Sequence, residues 1–344
     1  MGDGEGTLIV TGAAGGIGRA IVKHFTDLAY PYTGLFTVRN TSNVNVQPLR
    51  NILLESDKQY SITSLELSSL TSVRSFAADI NTRVSCGALK PIRALVLNAG
   101  YMSHLGQRFM EDRYEMNFQV NYLSNFLLVL ALLPSIDRDF GRIVFITSWT
   151  HDPTDLRSRL LTLRRTMWRP VRDLAKPSVP DTSYNQSQAG VRRYGESKLW
   201  LMMFMHSLQA RLEATPKLQN IGVLSVDPGG VFSTGIMREQ AWFTRGPFRM
   251  LLNALTPFML RLSPNGALRT AEKSAYDILN ACFATEDTVL GKRPKGLYIN
   301  GSKLKVSSKE SRDVEKQRLL WEGSLELAGL EERETALGAG WKGD

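Results

Sequence analysis

Tyr194 and Lys198 stand four residues apart in Arg193-Tyr194-Gly195-Glu196-Ser197-Lys198-Leu199, and on a helix that spacing puts the phenol and the ammonium on one face. A free phenol titrates near ~10, so a tyrosine that exchanges a proton near neutrality needs a neighbouring cation to favour its phenolate. Ser148, upstream, adds a hydroxyl able to hydrogen-bond a substrate oxygen. The same tyrosine and lysine spacing also occurs on solvated helix faces, so its chemistry depends on the elements around it.

The N-terminus supplies that context. Thr7 to Val10 reads as a short buried strand running into Thr11-Gly12-Ala13-Ala14-Gly15-Gly16-Ile17-Gly18-Arg19-Ala20, after which Ile21, Val22, Phe25 and Leu28 recur with a helical period. Glycine permits positive φ and a close approach of backbone to a pyrophosphate, while the helix N-terminus offers N–H groups and the positive end of its dipole. Gly12, Gly16 and Gly18 follow T-G-x-x-x-G-x-G, with a three-residue gap where the common Rossmann fingerprint has one. A site selecting NAD carries an acid roughly 20 residues after the turn, bound to the ribose 2′-hydroxyl. No acid occurs from Leu28 through Leu54, and Val38-Arg39-Asn40-Thr41-Ser42 occupies the expected place. A guanidinium flanked by hydroxyl and amide donors suits a 2′-phosphate, so NADP(H) is the expected cofactor.

With these residues in view, the chain resembles the short-chain dehydrogenase/reductase family from about Thr7 to Asn300. The resemblance is carried by Thr11-Gly12-x-x-x-Gly16-x-Gly18, Leu97-Asn98-Ala99-Gly100, Asn121 in Val120-Asn121-Tyr122-Leu123, Ser148 in Ile146-Thr147-Ser148, Tyr194-x-x-x-Lys198 and Asp227-Pro228-Gly229-Gly230-Val231. Within the family it looks closest to the retinol-dehydrogenase, protochlorophyllide-reductase and WW-domain oxidoreductase branch. That likeness rests on Asn121-Tyr122-Leu123-Ser124-Asn125-Phe126-Leu127-Leu128, Leu65-Glu66-Leu67-Ser68-Ser69-Leu70 and Leu320-Trp321-Glu322-Gly323-Ser324.

The resemblance implies hydride transfer between the nicotinamide and a substrate carbon. In it Ser148 hydrogen-bonds the carbonyl, Tyr194 supplies the proton for reduction, and Lys198 holds the nicotinamide ribose and depresses the Tyr194 pKa. Asn121 anchors a water that reconnects Lys198 to solvent, and no metal is needed. The cofactor-binding residues implied are Thr11, Gly12, Gly16, Ile17, Gly18, Arg39, Glu66, Asn98, Ala99, Gly100, Tyr194, Lys198, Pro228, Gly229, Val231 and Ser233. Two departures stand out: Glu66-Leu67 replaces the usual Asp-Leu that contacts the adenine, and Ser124 replaces a frequent glycine. The expected activity is that of an NADP(H)-dependent carbonyl reductase or alcohol dehydrogenase on a bulky apolar small molecule, a secondary metabolite, retinoid-like or steroid-like. Reduction of a conjugated carbon–carbon double bond and non-catalytic NADP(H) sensing are the alternatives, and retention of Asn121, Ser148, Tyr194 and Lys198 argues against the sensor.

Strand-like runs recur at Thr7 to Thr11, Gly34 to Val38, Ser61 to Leu67, Ile92 to Leu97, Arg142 to Thr147, Ile221 to Val226 and Leu297 to Asn300, with helical patterns between them. They predict an α/β, single-domain Rossmann-type doubly wound parallel sheet of about seven strands, with helices on both faces. At 344 residues and 43% hydrophobic content, the chain is large enough for one sizeable core. Residues 1–344 read as one domain with an insertion at about 152–185, a substrate lid at about 232–262 and a C-terminal helical extension at about 306–334.

The net charge of +9 is dispersed and carries no nucleic-acid motif, which makes an anionic cofactor the simpler partner. The densest basic stretch, Arg157, Arg159, Arg164, Arg165, Arg169 and Arg172, falls in the insertion, read either as a pocket wall or as a solvated helix and loop. Segment 242–262, with Phe243, Phe248, Leu252 and Phe258, reads as an apolar lid, peripheral membrane contact being its alternative. His151, three residues beyond Ser148, is a candidate pocket residue. Cys86 and Cys282 have no metal-ligand spacing and fit a reducing compartment. With no signal segment and no run of about 18 apolar residues, the chain is expected to be cytoplasmic, peripheral to a membrane if 242–262 is an anchor. Self-association is left open.

Overall fold

A computed structural model describes residues 5–27, 31–102, 106–160, 168–177, 186–231, 256, 260–261 and 263–338. The strands are β1 (Gly6–Val10), β2 (Tyr32–Val38), β3 (Tyr60–Ser64), β4 (Ile92–Leu97), β5 (Arg142–Ile146), β6 (Gly222–Asp227), β7 (Leu297–Asn300) and β8 (Lys303–Lys305). They form one sheet in the order β3-β2-β1-β4-β5-β6-β7-β8. The first seven pair in parallel, and β8 returns antiparallel to β7. The sheet therefore has eight strands where about seven were expected. Lys303-Leu304-Lys305 is exposed at every position and carries no burial pattern to read; it forms because Gly301, at φ +66°, reverses the chain after β7.

The connecting helices are α1 (Gly16–Thr26), α2 (Gln47–Leu54), α3 (Leu70–Ser85), α4 (Ser124–Leu132), α5 (Val171–Ala175), α6 (Gln186–Ala214), α7 (Ala271–Phe283) and α8 (Val314–Ala328). Strand side chains alternate between two cores. Ile9, Leu95, Leu97, Ile143, Phe145 and Val223 face α3, α4, α6 and α8. Leu8, Val10, Val96, Val144, Ile146, Leu224 and Val226 face α1, α2 and α7. Burial of both faces explains why the strands read as continuous apolar runs.

One difference from the sequence reading concerns Met116–Ser135. This helical run is long and apolar enough to cross a membrane by length and composition, yet 89% of its apolar window is buried inside the fold. Asn117, Gln119, Asn121 and Asn125 are all buried within it, and they interrupt the apolar run that the sequence reading sought.

The expected C-terminal helix is α8. Asp313 caps its first turn, and left-handed Gly329 ends it. Trp321 packs edge-on against Phe126, 5.2 Å between ring centroids. The Tyr122 hydroxyl meets Ser324 Oγ at 2.7 Å.

Of the segment expected as an insertion, residues 152–160 and 168–177 are described, and 168–177 is docked on the fold. Glu115 N–H donates to Ala175 O at 2.8 Å, Arg169 pairs with Glu196 at 2.7 Å, and Arg172 pairs with Glu326 at 2.6 Å. Arg157 pairs with Asp155 and covers the Trp149 ring at 4.7 Å. The contacts of Arg169, Arg172 and Ala175 make 168–177 a strap packed on the fold, whereas Arg164 and Arg165 lie outside the described residues. The lid segment 242–262 falls almost wholly outside them as well.

Candidate active site

The glycine turn after β1 is a tight backbone cradle. Gly12 has φ +64°, and a Cβ there would stand 2.9 Å from Ala99 Cα. At Gly18 a Cβ would meet Gly12 O at 2.5 Å and Ala13 Cα at 2.8 Å. Asn98 Nδ2 clips the turn to β4 by donating to Thr11 O (2.8 Å) and Gly12 O (3.2 Å). Ala99 N–H donates to Thr11 Oγ1 at 3.0 Å. Helix α1 begins at Gly16 after the cap Gly15, which has no side chain to occupy the first-turn amides, and no acid lies in that turn. Gly16, Ile17 and Gly18 thus present a helix N-terminus suited to a pyrophosphate, and Gly100 lies exposed just past Ala99.

Arg39 and Glu66 stand at the ends of β2 and β3, adjacent through the Val38–Ser64 register. They form an ion pair, Arg39 Nε to Glu66 Oε2 at 3.3 Å, with side chains 71% and 34% exposed. Glu66 Oε1 also accepts Ser68 N–H at 3.0 Å. The residues assigned separately to the adenine and to the 2′-phosphate are one electrostatic unit. Ser124, the other departure, is buried and donates from Oγ to Leu67 O at 2.6 Å, tying α4 to the segment after β3.

Asn121 lies in a π turn, Gln119–Leu123, just before α4; such turns concentrate at functional sites. Its Oδ1 accepts Tyr101 N–H at 2.7 Å. Its Nδ2 donates to Tyr101 O (2.8 Å) and Ser197 Oγ (2.9 Å), beside Lys198. Ser148 caps the turn Trp149–His151 at the end of β5, its Oγ accepting Thr150 N–H at 3.3 Å. Helix α6 packs against that turn. Lys198 Nζ donates to Ile146 O at 2.8 Å, two residues before Ser148, and lies 5.3 Å from the Tyr194 ring centroid. The fold therefore gathers Asn121, Ser148, Tyr194 and Lys198 around the first half of α6.

Burial governs the electrostatics of the pair. Burial pushes the Lys198 ammonium down to about 8, partly opposed by Asp227. The Tyr194 phenol is pushed up, first by burial and then by the same Asp227 carboxylate. On the phenol, desolvation and a nearby anion therefore oppose the lowering expected from the Lys198 ammonium.

His151 is also corrected. It is 2% exposed, with both ring nitrogens engaged: Nδ1 lies 2.7 Å from Ser148 O, and Nε2 accepts Ser308 N–H at 3.2 Å. With Nε2 accepting, Nδ1 must carry the proton, and burial keeps the ring neutral by lowering its pKa. Its place in the fold is a brace between the Ser148 turn and the segment before α8.

At the end of β6, Gly229 has φ +71° and packs against the Arg269 side chain, 3.0 Å from a Cβ placed there. Pro228 O accepts Ser274 Oγ at 2.8 Å. Val231 is buried behind the turn, and Ser233 lies outside the described residues. Asp227 opens the Asp227-Pro228-Gly229-Gly230-Val231 motif, with no role expected for it from the sequence. Its carboxylate is 1% exposed and accepts N–H bonds from Trp149 (3.1 Å) and Gly229 (2.9 Å). The available signal was an acid at the end of a buried strand. Among the described residues, no group of three or more His, Cys, Asp and Glu is arranged to hold a metal ion.

Comparison with known proteins agrees with this architecture. A family profile described as short chain dehydrogenase matches residues 6–153. Short-chain dehydrogenase iccH of Talaromyces variabilis is 39% identical over 367 residues, covering 97% of this chain and 99% of that protein. Polyprenol dehydrogenase of Mus musculus is 30% identical, covering 93% of this chain and 83% of that protein. WW domain-containing oxidoreductase of Drosophila melanogaster, from the branch expected, is 30% identical over 95% of this chain and 70% of its own length. The crystal structure of NADPH bound carbonyl reductase from chicken fatty liver has the same fold, with TM-score 0.57 at 17% identity over 88% of this chain and 98% of that one. With its glycine cradle, its π-turn asparagine and its paired tyrosine and lysine in one sheet-bound site, this chain belongs to the short-chain dehydrogenase/reductase family of oxidoreductases.

Proposed function

We propose that the protein is an NADP(H)-dependent carbonyl reductase or alcohol dehydrogenase acting on a bulky apolar substrate. The observation that carries this reading is that Tyr194 and Lys198 lie side by side on α6, the helix that packs against the Ser148 turn, with the Lys198 ammonium bonded to β5. The residues fit a dinucleotide, since the space a Cβ would fill at Gly12 and Gly18 is already taken by backbone and the α1 amides are uncapped by side chains. Bound there, the nicotinamide supplies the hydride for reduction or accepts it in oxidation.

Ser148 Oγ accepts from Thr150, which leaves its own proton for a substrate oxygen. Tyr194, kept protonated by its surroundings, donates a proton to that oxygen in the reducing direction. Lys198 offsets the charge left on the phenolate. Arg39 at the end of β2, with no acid between residues 28 and 54, supports NADP(H) over NAD(H). An apolar substrate is supported by the composition of 242–262 and by the name of a relative, polyprenol dehydrogenase.

The test is a panel of apolar and small polar carbonyls and alcohols with NADPH and NADH. Apolar carbonyls should be reduced with NADPH, and Tyr194→Phe should cut kcat by about a hundredfold or more while retaining NADPH binding. Substantial turnover by the Phe variant would remove Tyr194 as the acid.

A further inference from the structure

The two loops that carry the proposed chemistry meet on one side chain. Asp227 ends β6, beside β5 in the Ile146–Val226 register. Its Oδ2 accepts the N–H of Trp149, the residue after Ser148, at 3.1 Å. Its Oδ1 accepts the N–H of Gly229, in the left-handed turn of the cofactor motif, at 2.9 Å. The Tyr298 hydroxyl stands 3.5 Å from Oδ2. The Asp227 main chain is fixed as well, since its carbonyl accepts Arg269 Nη1 at 2.6 Å and Gly301 N–H at 3.2 Å.

The titratable and charged groups facing this carboxylate come from every element around it. They are Tyr194 and Lys198 from α6, His151 and Arg157 from the segment after β5, Arg269 from the loop before α7, and Tyr298 from β7. An anion in this position favours the protonated form of both Tyr194 and Lys198.

We propose that Asp227 is a positioning residue with two effects: it locks the Ser148 turn to the Pro228-Gly229 turn, and it sets a fixed carboxylate one residue beyond Val226, the strand partner of Ile146, whose carbonyl holds the Lys198 ammonium. The first effect sets where the Ser148 hydroxyl points relative to the cofactor turn. The second keeps Lys198 cationic near neutrality although the site is buried, and keeps Tyr194 a proton donor. The catalytic half of this proposal rests on the carbonyl-reductase reading; the electrostatic half does not.

The experiment therefore begins with a measurement that needs no turnover, the affinity for NADP+ between about pH 7 and 10. In the parent protein affinity should fall as Lys198 loses its proton near 8. Lys198→Met should abolish that pH dependence, which identifies the reporting group. In Asp227→Asn, which keeps the shape and removes the charge, the fall should begin about one pH unit lower. Asp227→Ser serves as a second neutral variant should the amide fail to fold. Asp227→Glu, which keeps the charge and displaces the carboxylate, should retain the parental midpoint.

The same shift should appear in the basic limb of NADPH-dependent reduction of phenanthrenequinone. A purely structural role would lower rates without moving either midpoint. Superimposable binding profiles for the parent and the folded neutral variants would overturn the proposal, as would a pH-dependent fall that survives in Lys198→Met. If no carbonyl is reduced by the parent, the proposed function fails while the NADP+ titration still decides the role of the Asp227 charge.

Discussion

Glu66→Gln separates the two expected roles at the adenine end of the cofactor site. Arg39 Nε lies 3.3 Å from Glu66 Oε2, and both side chains reach solvent, at 71% and 34% exposure. A contact of this kind facing water is worth about 1 kcal/mol at most. A 2′-phosphate must share the guanidinium with that carboxylate and also meets it as a like charge. Removing the charge should therefore tighten NADPH by up to about fivefold, about 1 kcal/mol, and leave NADH where it was. The turn should persist, because the glutamine oxygen still accepts the Ser68 N–H that Glu66 Oε1 accepts now. Arg39→Asp deletes a charge-assisted contact and should weaken NADPH by about tenfold or more, about 1.4 kcal/mol. Both affinities are measured by quenching of protein fluorescence at low and high salt, and the NADPH advantage should shrink as salt screens the exposed charges. Equal affinities for NADPH and NADH in the parent would refute the reasoning. So would a Glu66→Gln effect that is as large for NADH as for NADPH.

What the sequence made legible was the part of the site built from local geometry. The turn from Thr11 to Gly18 is readable because strand, glycine and helix signals adjoin, and Tyr194 and Lys198 are readable because helix periodicity fixes their relation. The features that escaped depend on strand order. Arg39 meets Glu66 only because β2 and β3 are neighbours in the sheet, and Asp227 reaches the Ser148 turn only because β5 and β6 are. His151 illustrates the converse: its closeness to Ser148 in the chain invited a pocket role, but its partner Ser308 lies far away in sequence and draws the ring into the interior. The altered acidity of Tyr194 and Lys198 likewise follows from burial and from Asp227, neither of which the tyrosine and lysine spacing contains.

Two further perturbations test the scaffold that holds the site. Gly18→Ala would press a methyl group against Gly12 O and the Ala13 backbone, neither of which can rotate away. The cradle should open, raising the NADPH Kd by about tenfold or more, and parental affinity in this variant would refute the close-packed turn. The last prediction concerns Glu196, whose side chain is 1% exposed and lies between Tyr194 and Lys198 in sequence. Its two oxygens accept Arg169 of the strap at 2.7 Å and Arg192 of α6 at 2.9 Å. Glu196→Ala removes the acceptor from both guanidiniums, and breaking a buried pair in this way costs about 3 kcal/mol. The loss should be read in denaturant unfolding, together with faster hydrogen exchange across 168–177 in the native state. The strap has other anchors, the Ala175 carbonyl on Glu115 and Arg172 on Glu326, so exchange should rise locally without complete detachment. A cost below about 1 kcal/mol with unaltered exchange would mean that packing of Val171 against Gly323 holds the strap. The ion pair would then be a consequence of docking rather than its cause.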